Sequence, residues 1–259
     1  MRSPASLLVI GLLLPACLEA RSQISEADAP RVMEQQAKNY QAWTPKLNSP
    51  GVSIVLKEVE RSSPQIKYFL YGTGFPTGHK YAIVSWPADS LKPVTLMTGV
   101  TLDSTGRAVC AGTPDTCTGD GPNDPIRLVF DPVKSEPIRI ALVSDDEQHI
   151  KAVTKVIPIP NRTTDKNCGL ESVMLAPRAA LVGLVGGGFK PNTDVTFLSE
   201  SEGEHHDGMQ KADADGNLFI ALGPSVKGKD KGTAKVSVVS AECSLSLTLR
   251  WGKDSYEYK

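Results

Sequence analysis

Net charge, aromatic rings, histidine and long apolar runs are all scarce in this chain, and each shortage removes a class of function. Lys and Arg number 28 against 29 Asp and Glu, a net charge of -1. No global field therefore draws the protein to nucleic acid, an anionic membrane or an acidic polymer. Nothing in the sequence matches G-x-S-x-G, H-E-x-x-H or C-x-x-C, the local patterns of a nucleophile elbow, a zinc hydrolase and a dithiol centre. Neither an enzyme nor a bound cofactor is expected. Lone His79 and His149 have no local context that nominates a nucleophile. Gly72, Gly74 and Gly78 lead to Pro76 and a strand at Tyr81 rather than to a helix, so they do not form a dinucleotide-phosphate turn. No apolar run reaches the roughly 20 residues that a membrane-spanning helix needs. The stretch from Ala179 to Val185 stops at Gly186, Gly187 and Gly188.

What is present begins with an address label. Arg2 precedes the run Leu7 to Leu14, followed by Pro15 and small or neutral residues up to Ala20, the layout of a secretory signal peptide over residues 1–20. Ordinary cleavage falls after Ala20. Leu14-Pro15-Ala16-Cys17 also resembles a bacterial lipobox, and that resemblance implies lipidation of Cys17 and a lipid anchor. Both routes place the mature protein outside the cytoplasm: periplasm, cell surface or secreted. There an even set of cysteines reads as disulfides. Cys110 and Cys117 bracket a polar Gly/Pro/Asp loop, which favours a local bridge and leaves Cys168 to pair with Cys243.

Residues 21–50 form a helical or tether segment. Asp28 can cap it, Pro30 falls in the first turn, and Met33, Ala37 and Tyr40 repeat at helical spacing until Pro45. From Gly51 the pattern changes to short runs rich in β-branched and aromatic residues, broken by Gly, Pro, Asp and Asn. Strands are expected at 52–59, 66–71, 81–86, 126–130, 138–144 and 150–157, then at 173–175, 180–185, 195–199, 218–222, 234–240 and 245–251. The fold class is all-β, with two tandem β-sandwich domains at 51–157 and 168–252. Residues 158–167, with two prolines and a polar run, read as a linker, and 253–259 as a C-terminal tail.

The two halves share landmarks in the same order. Gly72-Thr73-Gly74-Phe75-Pro76 matches Gly186-Gly187-Gly188-Phe189-Lys190-Pro191, and the turn at Leu102 to Gly106 matches Ala212 to Gly216. The run Ile140 to Ser144 matches Val236 to Ser240. The G-x-G-F-x-P stretch and the D-x-D-G turn resemble tandem immunoglobulin-like modules of exported bacterial proteins, over about residues 51–252. That resemblance implies a fold more than a function, because such modules serve as spacers, adhesins and binding units alike. The Cys, Trp, Cys spacing of antibody domains is absent, so no antigen-like recognition is expected.

Three constellations invite chemistry. Glu202, Glu204, His205, His206 and Asp207 form the densest set of candidate metal ligands, but adjacent histidines on a strand face opposite ways. Asp213, Asp215 and Asn217 resemble part of a calcium loop, yet Lys211 stands where a first carboxylate belongs and a hairpin turn fits better. Tyr68, Tyr71, Tyr81 and Trp86 cluster near the first glycine turn as candidates for a carbohydrate or peptide platform. The sequence therefore reads as a non-enzymatic cell-envelope or secreted protein, a spacer or protein-binding unit whose partner is an unnamed protein or envelope component. The alternative is an exported small-ligand or metal-binding protein that uses residues 202–207.

Overall fold

Alternation of apolar and polar side chains builds the strands of this protein, and pairing rather than propensity completes them. The computed structural model describes residues 29–256 apart from 89, 91 and 112–123. The signal peptide, Cys17 and Cys117 lie outside the described residues. A single α-helix among them, α1 (Ala29–Ala42), precedes the strands. The first half contains β1 (Ser53–Ser62), β2 (Gln65–Thr73), β3 (Tyr81–Ser85), β4 (Val94–Leu102), β5 (Ala108–Cys110), β6 (Arg127–Phe130), β7 (Ile138–Ser144) and β8 (Lys151–Val156). The second contains β9 (Asn161–Asp165), β10 (Cys168–Met174), β11 (Val182–Gly187), β12 (Asp194–Ser201), β13 (Glu204–Lys211), β14 (Leu218–Leu222), β15 (Lys231–Val239) and β16 (Ser244–Gly252).

These strands form four antiparallel sheets, ordered β1-β2-β6 and β5-β4-β3-β7-β8 in the first half, then β14-β11-β10-β9 and β13-β12-β15-β16 in the second. Each half encloses its own core. Ile66, Tyr68 and Leu70 of β2 point inward against Ile83, Ile140 and Leu142 of the facing sheet. In the second half Leu170 and Leu184 meet Val236, Val238, Leu247 and Trp251. Period-two alternation puts these residues on one face of each strand, and burial of each large side chain contributes roughly 1.5–3 kcal/mol. The fold is all-β.

The two halves turn in the same way. Gly74 at φ +76 brings its Cα so close to Gly51 that an added Cβ would stand 2.0 Å from that residue's carbonyl oxygen, and Gly188 at φ +80 makes the same approach to Asn167 at 2.0 Å. Only glycine fits such an approach. Downstream, Asp103 Oδ1 accepts the backbone N–H groups of Thr105 (2.8 Å) and Arg107 (3.0 Å). Asp213 Oδ1 accepts those of Asp215 (2.9 Å) and Asn217 (2.8 Å).

Residues 161–165, expected as linker, form β9 instead and pair with β10 from Asn161 opposite Ser172 to Asp165 opposite Cys168. Ladder hydrogen bonds hold this polar strand, which buries no side chain and therefore carries no apolar signal. The first part of the expected tail is likewise ordered: Lys253–Tyr256 is a 3-10 helix whose Asp254 pairs with Lys231 at 3.2 Å. Cys168 and Cys243 form a disulfide across 75 residues of chain, tying the sheet of β10 to the β15–β16 turn. Closing a loop of that length contributes about 4 kcal/mol through the unfolded state. Cys110 is also disulfide-bonded.

Candidate functional site at the junction of the two halves

The apolar stripe of α1 does not lie on the sandwich that follows it in sequence. Ala37 and Tyr40 pack on Val173, Leu175 and Leu181 of the second half, with Val185 and Phe219 at the margin. The rings of Tyr40 and Phe219 stack at 6.4 Å. Three residues further on, Trp43 turns to the first half, against Ala141 and Val153, and its Nε1–H donates to the Thr154 carbonyl at 2.9 Å. One short segment thus rests on both sandwiches.

A second connection comes from the β6–β7 turn. Val133, a first-half residue, is 4% exposed and belongs to the second core. Ser135 sits at φ +68, a left-handed conformation a non-glycine residue holds only when its surroundings require it. Its N–H donates to Ile159 and its carbonyl accepts from Met174, both at 2.8 Å. Its hydroxyl lies 2.7 Å from that of Ser172, a residue with no exposed surface. Asn161 Nδ2 donates to the Ser172 hydroxyl and to the Thr248 carbonyl, each at 3.0 Å. Beside this clasp lies a cleft of about 260 Å³ lined by Lys134, Ser135, Asn161, Ser172, Arg250 and Asp254 among others.

Between the halves and next to the helix lie four titratable groups. Arg139 is 2% exposed and donates to the carbonyls of Trp86 (2.8 Å) and Pro87 (3.2 Å) rather than to a carboxylate. Burial pushes its guanidinium down to about 10, and it remains charged at neutral pH. Burial, reinforced by the Glu171 charge, pushes the Tyr40 phenol up to about 12. Lys155 lies 4.0 Å from the centre of the Tyr40 ring and donates to the Tyr40 carbonyl at 3.3 Å. Its ammonium is pulled below the ordinary value by burial and then by Arg139, while burial raises Glu171. A cation at the end of α1 also suits the helix dipole. These groups pin the helix over the seam between the halves.

The residues singled out in the sequence lie elsewhere. Glu204, His205, His206 and Asp207 all sit on β13, fully paired with β12 and exposed. Strand alternation sends His206 and Glu204 to one face, 3.8 Å apart, and His205 and Asp207 to the other. The expected metal cluster is not assembled: among the described residues no group of three or more His, Cys, Asp or Glu side chains is placed to hold an ion. Glu202 accepts hydrogen bonds from Lys229 (3.0 Å) and the Thr233 N–H (3.1 Å), tying the hairpin to β15. Asp213 serves its own turn, and the Asn217 N–H first among its donors keeps its carboxyl below the usual range. His79 pairs through Nδ1 with Asp146, whose other oxygen accepts the Ser144 hydroxyl at 2.9 Å. That serine faces the carboxylate and not the imidazole, which makes the trio a clasp between two loops. Of the aromatic set, Tyr68 and Tyr81 are core residues at 2% and 1% exposure, Trp86 meets Trp43 edge-on at 5.6 Å, and Tyr71 alone stays on an outer face.

Sequence reasoning found the helix but missed Trp43, Val133, Ser135 and Arg139. The only signal for Trp43 was its place three residues after Tyr40, one further step along the stripe.

The fold defines an all-β, sandwich-like protein. No known family profile matches the chain, and no curated protein matches it either. Among solved structures it is similar to one described as the structural basis of neurohormone perception by the receptor tyrosine kinase Torso, at 10% identity over 88% of this chain and 89% of that one, with a TM-score of 0.21. It is also similar to red sea bream transglutaminase, at 10% identity over 78% of this chain and 31% of that one, with a TM-score of 0.22. Scores of that size carry no inference about fold or activity, and the architecture rests on the sheets themselves.

Proposed function

We propose that this chain is a non-enzymatic exported protein of the cell envelope or surroundings, whose two immunoglobulin-like modules act as one stiff spacer and protein-binding unit. The observation that carries this reading is the insertion of Val133 into the second core, backed by the helix that rests on both halves. Loose beads on a linker share no core residue, whereas a spacer that sets a distance requires a fixed angle between its modules. The paired landmarks at Gly74 and Gly188 and at Asp103 and Asp213 support a duplicated module of the kind common in exported bacterial proteins. A disulfide and the lack, among the described residues, of a helix long and apolar enough to cross a membrane are in keeping with export.

Small-angle scattering on the mature protein tests the stiffness: one rigid conformer is expected to fit, and a profile that demands an ensemble of hinge angles would overturn the reading. Intact mass spectrometry tests the export. A chain beginning at Arg21, or at Cys17 with acyl groups, is expected, whereas a mass that retains Met1 and its signal sequence would sink it.

A further inference from the structure

Among the described residues, β13 pairs with β12 along one edge and with no strand along the other. The ladder with β12 runs unbroken from Asp194 opposite Lys211 to Ser201 opposite Glu204, without the proline or bulge that commonly blunts an edge strand. β14 follows β13 through the Asp213 turn and belongs to the opposite sheet. Every residue of β13 except Gly208 is exposed, and Met209, at 73%, is the most exposed large hydrophobic residue of the described chain.

Ala212 donates its N–H to the Thr193 carbonyl at 3.0 Å. Ladder alternation therefore directs the even-numbered residues of β13 toward β12 and turns the N–H and C=O groups of His205, Asp207, Met209 and Lys211 away from it. The side chains of these same residues lie on the outer face, since their partners Glu200, Leu198, Thr196 and Asp194 alternate with the buried Val195, Ser199 and Ser201. Val239 continues the Met209 row beyond Thr196, and Leu198 stands opposite Asp207, each 45% exposed. Asp207 and Lys211 form no ion pair with a described residue.

A second β13 laid antiparallel along this edge, about a two-fold axis normal to the sheet, sets residues of the same face opposite one another. With Met209 on the axis, Met209 meets its own copy and Asp207 meets Lys211 on either side. The backbone groups that face outward are the ones such pairs use. Other registers match less well: centring on Asp207 opposes like charges, and centring on Gly208 sets His205 against Lys211 and Asp207 against Met209. Centring on His206 runs the ladder into the turn at Glu202 and Gly203, where φ is positive. The contact is smaller than a standard interface of roughly 1,600 Å², so the dimer is weak, with a Kd on the order of 100 µM.

We infer that β13 is a self-association edge, at which two copies of this chain join their β13-β12-β15-β16 sheets antiparallel, with Met209 on the two-fold axis and Asp207 of each copy paired with Lys211 of the other. The inference rests on the protein-binding reading above and names the partner as a second copy. Sedimentation of the mature protein from about 10 µM to about 1 mM tests it, and a monomer–dimer equilibrium is expected. Asp207→Lys and Lys211→Asp should each weaken the dimer at least about tenfold, because each sets like charges opposite one another on both sides of the axis. The two substitutions together should restore it to within about threefold of the parent. A second readout leaves the charges alone. In this register the Cα atoms of the two Met209 residues stand about 5.5 Å apart, within disulfide reach. Met209→Cys should therefore give a disulfide-linked dimer on mild oxidation, and Glu200→Cys, one strand inward on the same face, should not. All these positions are exposed, and unchanged melting temperatures establish that the variants fold. A chain that stays monomeric throughout, single charge variants that associate like the parent, a charge swap that fails to restore the dimer, or equal cross-linking at both cysteine positions would each overturn the inference. Scattering that fits one rigid monomer in that event would leave the spacer reading standing.

Discussion

The two sandwiches share a turn chemistry and diverge in what is laid over them. In both, a left-handed glycine approaches a backbone carbonyl and an aspartate gathers the N–H groups of its own turn. Among the described residues the second has a helix packed on the sheet β14-β11-β10-β9, whose fourth strand, β9, has no counterpart in β1-β2-β6, and a disulfide from β10 to the β15–β16 turn. The first divides the work of β14 between β5, which pairs with β4, and β6, which pairs with β2. A shared frame thus fixes the strands, while covering elements decide which face is buried.

The strongest way to break this comparison is to remove the brace of the second half. Replacing Cys168 and Cys243 by Ala is expected to cost about 4 kcal/mol in denaturant unfolding of that half, read from a probe such as Trp251. A loss spread equally over both halves would show that they unfold as one unit. Tyr40→Ala is next, at about 3 kcal/mol from the lost aromatic packing. It should also add hinge motion to the scattering profile, because Tyr40 is part of what holds the helix to the second half.

Titration sharpens the same point. The folded protein holds the Tyr40 proton up to about pH 12, against 10.0 for an ordinary tyrosine. Its contribution is therefore whole below about pH 10 and disappears as pH rises through 12, a loss of about 3 kcal/mol. Tyr68 and Tyr81 in the first core are also raised by burial, so the part of the alkaline loss that belongs to the helix is the part Tyr40→Phe abolishes. A Tyr40→Phe profile identical to that of the parent protein would separate the phenol from the stability of the seam.

Smaller effects test the seam itself. Val133→Ala should lower stability by about 1–2 kcal/mol and act on the second half's transition, although the residue lies in the first half's sequence. The smallest expected change is none: zinc or nickel should not raise the melting temperature, and His205→Ala with His206→Ala should leave it unmoved. A metal-dependent rise that those substitutions remove would restore the exported metal-binding alternative.

Buried-strand alternation was legible from residues alone. The runs at Ile138 to Ser144 and Leu218 to Leu222 match β7 and β14 to the residue, because both bury apolar side chains between flanking turns. The glycine and aspartate turns were legible for a similar reason, since their conformations restrict which residue fits. Strands β9 and β13 were not. Asn161–Asp165 and Glu204–Lys211 bury no side chain, and their backbone pairing leaves no trace in hydrophobicity. β4 was hidden by its bulges, which shift the register between Tyr81 and Ile83 and again before Val84, and by Gly99 at φ +69. The candidate metal ligands were legible as residue types but not as a site, because convergence depends on strand direction.

By itself the sequence determined an all-β chain, most of its core strands and its paired turns, since each follows from local side-chain size, periodicity or conformational restriction. Tertiary structure alone decided that α1 crosses to the second sandwich, that Val133 enters the neighbouring core, and that Tyr40 and Phe219 bury each other while Phe69 and Tyr71 remain at an outer surface. Those outcomes depend on which distant surfaces meet, and a side chain's own chemistry does not specify the face that will cover it.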